Sequence, residues 1–357
     1  MKRKGLVAAV VGLLLFGLGG TGRAQEVMKV GFVYIGPVGD YGWTYAHDQG
    51  RRYLEKTLPW VKTTYVESVA EGADAERVIT ELARTGHKVI FTTSYGYMDT
   101  TIKVAERFPN VIFLHCSGYK RRENVGTYFG RMYQASYLTG LVAGKMTRKN
   151  LIGYVAPIPI PEVIRITNAF ALGAREVNPK VKVHVVWTNA WYDPATETEA
   201  ANSLLDLGAD VIATQSDSPA PVQAAEKRGA YGVGYNSDAS KFAPKGHLVS
   251  AVWNWGPYYV ETVKAVRAGT WKSEDVWWPI GTGIVGLSPF GPAVPPSVKA
   301  LVEKRKEDLI KGRFDVFWGP IRDQSGKVRI AKGRKATDKE LLSMNWFVEG
   351  IVGTIPR

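Results

Sequence analysis

Short apolar runs alternate along the chain with longer stretches that carry apolar residues on one helical face. The runs Lys29–Ile35, Lys62–Val69, Lys88–Thr93 and Val111–Cys116 have the β-branched and aromatic content of strands. Between them, Tyr45–Leu58, Asp74–Thr85 and Thr100–Arg107 have helical spacing, and Gly86 closes the second of these. Gln134–Met146 is a helix built on small residues, Ala135, Gly140, Ala143 and Gly144, which suits close backbone packing. The rhythm then restarts. Strands are expected at Leu151–Val155, Lys182–Trp187, Val211–Thr214, Tyr231–Tyr235 and Leu248–Val252. Helices are expected at Ile164–Val177, Ala195–Leu207, Pro221–Arg228, Tyr258–Ala268 and Pro296–Lys311, with a surface hairpin or tail over Arg322–Lys339. Strands alternating with helices imply parallel sheets covered on both faces. The restart near residue 150, with no Gly-x-Gly-x-x-Gly turn in either half, favours two α/β lobes joined by a hinge.

The first residues change the picture of location. Lys2, Arg3 and Lys4 precede an almost wholly apolar or glycine stretch, Gly5–Gly20, and Gly22-x-Ala24 is a small-x-small cleavage pattern. Residues 1–24 therefore read as a signal peptide directing export to the periplasm, and no cysteine near the cleavage point offers a lipid anchor. The formal charge is +13, but the basic clusters Lys120–Arg122, Lys304–Lys306 and Lys327–Lys335 are short or interrupted. They read as solvated surface and not as a nucleic-acid footprint. The one cysteine, Cys116, falls in an apolar run and reads as a core thiol.

Ligands of parallel α/β sheets sit beyond the carboxyl ends of the strands. There the sequence places Gly36–Trp43, Ser94–Asp99, Pro157–Pro161, Trp187–Trp191, Gln215–Ser218, Asn236–Asp238 and Trp253–Trp255. These loops carry aromatic rings, carboxylates and amides, without a nucleophile beside a base and without metal-ligand spacing. The chemistry suits a flat polar ligand such as a nucleobase, and no cofactor, metal or enzymatic activity is expected. Asp40, Asp217 and Asp238 also stand where a helix cap belongs, so capping alone accounts for any of them. His47, His87, His115, His184 and His247 are isolated and read as core or surface residues.

The same loops carry a family resemblance. Gly39-Asp-Tyr-Gly-Trp-Thr44, Tyr128–Gly140, Asn168-Ala-Phe-Ala-Leu-Gly173, Gly208-Ala-Asp-Val-Ile212, Asp217–Val222 and Gly234-Tyr-Asn-Ser-Asp238 occur in order from about Lys29 to Gly312. The chain so resembles the basic membrane protein family, the PnrA-like substrate-binding components of ABC importers for nucleoside-type ligands. The resemblance implies a type I periplasmic-binding-protein fold, two doubly wound parallel-sheet lobes joined by a hinge. It places lobe 1 at 28–130 with 254–282 and lobe 2 at 131–253 with 283–357. It also implies a monomer, a purine-type ligand and an inner-membrane permease as partners. The ligand-binding positions it suggests, together with the loop aromatics, are Asp40, Trp43, Thr44, Tyr97, Phe170, Trp191, Asp217, Asp238, Trp253 and Asn254. A lysine common after the last strand of such proteins is replaced by Val252-Trp-Asn-Trp-Gly256. A bulky Trp253 there is expected to fill the space of a ribose, so a free base, adenine first, is expected before a nucleoside. A sugar ligand of the same fold is the alternative.

Overall fold

The computed structural model describes residues 26–356; the leader expected at 1–24 lies outside the described residues. The chain begins with β1 (Met28–Val33), α1 (Trp43–Thr57), β2 (Val61–Val66), α2 (Ala73–Arg84), β3 (Val89–Thr92), α3 (Met98–Arg107), β4 (Ile112–Cys116) and β5 (Val125–Gly130). It continues with α4 (Met132–Met146), β6 (Leu151–Ala156), α5 (Pro161–Val177), β7 (Lys182–Trp187), α6 (Pro194–Asp206), β8 (Val211–Thr214), α7 (Ala220–Lys227), β9 (Tyr231–Asn236) and β10 (His247–Trp253). Then come α8 (Gly256–Arg267), β11 (Asp275–Trp278), β12 (Val285–Leu287), α9 (Pro296–Ile310), β13 (Ile321–Arg322), β14 (Val328–Ile330), α10 (Asp338–Leu342) and β15 (Ile351–Val352).

The strands form two sheets. One has the order β11-β5-β4-β3-β1-β2 and is parallel throughout. The other has the order β12-β10-β9-β8-β6-β7-β15, parallel except for the antiparallel edge pair β10–β12. Interior strands such as β3 and β8 are buried along their whole length, as strands with helices on both faces must be. The chain passes between the sheets after Gly130, after Trp253 and after Trp278. Cys116 is buried in β4.

The apolar pattern did not announce β5, a six-residue buried strand, nor the short elements. β11, β12 and β15 hold two to four residues each, too few for a period to register. The C-terminal stretch read as a hairpin or tail does form the β13–β14 hairpin. It then returns to the body through α10, and β15 pairs with β7 at the sheet edge. Asn168 on α5 holds this return: its amide donates to the Trp346 carbonyl (2.8 Å) and its oxygen accepts from Val348 N (2.9 Å).

Helices α4 and α5 approach each other backbone to backbone. A Cβ on Gly140 would stand 2.1 Å from the Phe170 carbonyl, and one on Gly173 would stand 2.1 Å from the Tyr137 carbonyl. The small-residue pattern is therefore a reciprocal backbone contact that neither helix can relax alone. Gly173→Val is expected to cost about 3 kcal/mol or more, read as a lower midpoint in chemical denaturation.

Candidate functional site

The first wall of the site grows from the loop between β1 and α1. Asp40 is buried, and both its oxygens serve the start of α1. Oδ1 accepts from Gly42 N (2.8 Å) and Tyr45 N (2.9 Å), and Oδ2 accepts from Thr44 N (3.0 Å). Thr44 Oγ1 accepts from Gly36 N at 3.2 Å and ties the loop together. This scaffold sets Trp43 at the first helical position. Its indole N–H donates to the Thr93 carbonyl (2.6 Å), leaving the ring as an apolar surface. Burial raises the Asp40 carboxyl to about 6 despite its three backbone donors.

Trp43 lines a small chamber of about 30 Å³ between the two sheets, together with Ile35, Tyr95, Trp191 and Tyr235. The polar lining is Ser94, Ser117, Glu162, Gln215 and Asp217. The chamber holds room for about two water centres, so a larger occupant requires its walls to separate. Its lining contains carboxylates and no lysine or arginine. Gln215 Oε1 accepts from the Tyr154 hydroxyl (3.2 Å), and its amide N–H faces the Tyr235 hydroxyl. Asp217 Oδ1 accepts from Asn236 Nδ2 at 2.9 Å. Burial first, then Asp40 and Glu197, push the Asp217 carboxyl well above the usual carboxylate range. Burial also raises Glu162 to about 7, against the opposing pull of Arg165.

Of the residues expected at the site, Trp43, Trp191 and Asp217 line the chamber. Asp40 and Thr44 stand behind Trp43 as its scaffold. The others lie elsewhere. Tyr97 is buried against the far side of its sheet, its hydroxyl donating to the Val69 carbonyl (2.5 Å). Tyr95 faces the chamber instead, because a 3-10 turn over Tyr95–Tyr97 sends the two rings apart. Phe170 packs on Tyr154 (ring centroids 5.2 Å) inside the helix layer. Asp238 is exposed and caps the turn at Ser240 (2.9 Å), so it does not face the chamber. Asn254 is exposed at a crossing, with its backbone N–H bonded to Ile284 O (2.9 Å). Trp253 lies behind the lining: it stacks on Trp255 (4.4 Å, 15°) and meets Trp43 edge-on at 5.7 Å. It does not occupy the chamber as a block against ribose.

Glu162 was missed because Pro157–Pro161 reads as a loop. In fact Pro161 is the first residue of α5, a favoured position for proline, and puts Glu162 in the first turn. Tyr95, Ser117 and Glu162 also line a neighbouring, wider cavity of about 450 Å³. Its other walls include Tyr119, Arg165, Trp277 and, from α10, Lys339.

The lobes touch across the chamber. A Cβ on Gly42 would stand 1.9 Å from the Asp217 carbonyl oxygen, so the start of α1 abuts the Asp217 backbone. Beside it Tyr41 takes a left-handed φ of +59°, a strain of order 1 kcal/mol. That conformation presents its carbonyl to the Ser237 hydroxyl and its ring to Phe242 (5.0 Å) and the Lys241 ammonium (3.4 Å). His47 and His115 are buried and held neutral by desolvation, and no metal-binding group of His, Cys, Asp and Glu occurs among the described residues.

Residues 27–313 match the family described as ABC transporter substrate-binding protein PnrA-like. The chain is 47% identical to a purine-binding protein of Brucella abortus, over 99% of this chain and all of that one. It is 41% identical to a putative ABC transporter glucose-binding protein of Haloferax volcanii, over 95% of this chain and 84% of that one. The solved ABC transporter solute-binding protein of Aeropyrum pernix superposes with a TM-score of 0.70 at 18% identity, covering 89% of this chain and 98% of that one. That likeness concerns the fold alone, the type I solute-binding architecture of two α/β lobes.

Two consequences are measurable. Asp40 titrates higher folded than unfolded, so its contribution is present below about pH 4 and is lost as pH rises through about 6. The stability difference between wild type and Asp40→Asn is expected to shift against wild type by up to about 3 kcal/mol from pH 4 to 7, measured by urea denaturation. Gly42→Ala, at a φ of −112°, is expected to wedge the lobes apart. Small-angle scattering would show a larger radius of gyration than wild type, with the thermal midpoint nearly unchanged.

Proposed function

Because the chain belongs to the PnrA-like family of ABC transporter substrate-binding proteins, we propose that it captures a free purine base, adenine ahead of guanine and hypoxanthine. It acts as an exported monomer that presents the ligand to an inner-membrane permease. Its lobes, 28–130 with 254–282 and 131–253 with 283–357, separate and close about the three crossings. The observation that carries this reading is the chamber itself: a second Asp217 oxygen without a partner among the described residues, ringed by Trp43, Tyr95, Trp191 and Tyr235. Aromatic faces hold a flat heterocycle, and a carboxylate accepts from its N–H or amino groups. Once Asp217 is ionised against the bound base, its second oxygen favours the 6-amino edge of adenine over a 6-oxo edge, which needs a donor. The name of the Brucella relative points the same way.

The preference for a base over a nucleoside rests on the absent lysine after β10, since Trp253 stands behind the chamber wall. A second reading, a nucleoside or sugar ligand, is favoured by the 450 Å³ cavity next door. There Tyr119 and Trp277 offer apolar faces beside Glu162 and Arg165. Small molecules released by denaturing the purified protein, followed by calorimetric titration with adenine, adenosine and glucose, separate the readings. Adenine is expected to bind at least tenfold tighter than adenosine. Comparable affinities would move the ligand to a nucleoside, and glucose binding alone would remove purines altogether. Asp217→Asn is expected to weaken adenine 10- to 100-fold, the roughly 1.5–3 kcal/mol of a hydrogen bond to a charged group.

A further inference from the structure

Behind the chamber a chain of hydrogen bonds ends on Asp217. The Trp253 indole N–H donates to Asn236 Oδ1 (2.9 Å), and Asn236 Nδ2 donates to Asp217 Oδ1 (2.9 Å). All three side chains are buried, Asn236 completely. The direction of this chain is forced. An indole nitrogen can only donate, so it demands the oxygen end of the Asn236 amide. The amide then has only its NH₂ end to offer Asp217, and a group that donates rewards an ionised carboxylate. Asn236 itself holds a φ of +67°, a left-handed conformation that asparagine tolerates better than most residues.

We propose that Trp253 and Asn236 are positioning residues that fix Asp217 as an acceptor, and so select the donor-bearing edge of the ligand. The proposal rests on the reading of the chamber as a purine site. Without the indole the Asn236 amide is free to turn over. Its oxygen would then face Asp217 and favour the protonated carboxyl, which donates and so reads a carbonyl instead. Burial and most of the groups facing Asp217 weigh against its ionisation, so the one donor that favours it matters. Asp40 from the β1–α1 loop, Glu197 from α6 and Glu162 from α5 all oppose its ionisation, and Asn236 from β9 is the neighbour that favours it. Trp253 also joins the two walls. It stacks on Trp255 at the start of α8 and meets Trp43 edge-on, so the residue that orients Asp217 also braces the ring opposite it.

The test compares wild type with Trp253→Phe, which keeps an aromatic ring and loses the donor, and Asn236→Leu. The Asp217 carboxyl is titrated in ligand-free protein by ¹³C NMR, assigned with Asp217→Asn. Affinities are then measured for adenine, unsubstituted purine and 9-methyladenine. Both variants are expected to titrate at higher pH than wild type, and Trp253→Phe is expected to bind adenine about tenfold more weakly. The advantage of adenine over whichever analogue lacks the donor facing Asp217 should shrink in both. An unchanged Asp217 titration, with only the thermal midpoint lowered, would overturn the proposal and leave Trp253 a packing residue. If wild type binds no purine, the purine reading fails while the carboxyl titration still decides the relay.

Discussion

Ionising a carboxyl buried between two lobes with no cation beside it is costly, and much of the architecture around the chamber answers to that cost. Transferring an ionised carboxyl out of water carries a penalty of several kcal/mol after relaxation. Asp217 recovers part of it from one donor, Asn236, and its neighbours Asp40 and Glu197 add to the cost. An apo chamber with this balance is poised for a ligand that brings N–H groups. The missing hydrogen bonds are then supplied by the molecule to be bound, so recognition and ionisation of the carboxyl are one event.

The lobes produce this situation only when closed. One wall is the first turn of α1, held rigid because Asp40 spends both oxygens on backbone N–H groups. The other is the end of β8 and β9. Gly42 against the Asp217 backbone sets how near the walls come, and a side chain at that position would hold them apart. The strained Tyr41 conformation is sustained by the contacts it makes across the gap with Ser237, Lys241 and Phe242. These contacts run between the lobes, so the wall that carries Tyr41 is held to the wall that carries Ser237, Lys241 and Phe242. A hinge held in this way shifts population on a ligand's differential affinity alone.

The alternation of apolar runs with amphipathic stretches made the two-lobe α/β order legible, because each long strand and helix repeats its period several times. The site was legible only in part. Asp40, Asp217 and Asp238 all follow strand ends, and each fits a cap. Sequence position cannot tell which carboxylate the turn consumes, and the fold leaves only Asp217 facing the chamber. Tyr95 and Tyr97 are two residues apart, and a single 3-10 turn decides which one faces the ligand space. Glu162 was hidden by a proline run that looks like a loop, although proline at the first helical position was a signal available to find it. The helix α10, which brings Lys339 to the outer cavity, carries its own mark in the capping box Thr337-x-x-Glu340.

Trp253 illustrates how one side chain can be read through two different kinds of physics. Its bulk suggested a plug in the ligand space. In the fold its ring is used in a stack with Trp255, and what reaches toward the site is its N–H, two hydrogen bonds away from the Asp217 carboxyl. Size is legible from sequence because it belongs to the residue. Direction of a hydrogen bond is not, because it belongs to a pair. The indole can only donate, and this asymmetry, passed through an amide that has one end of each kind, turns a packing residue into a determinant of what Asp217 can recognise.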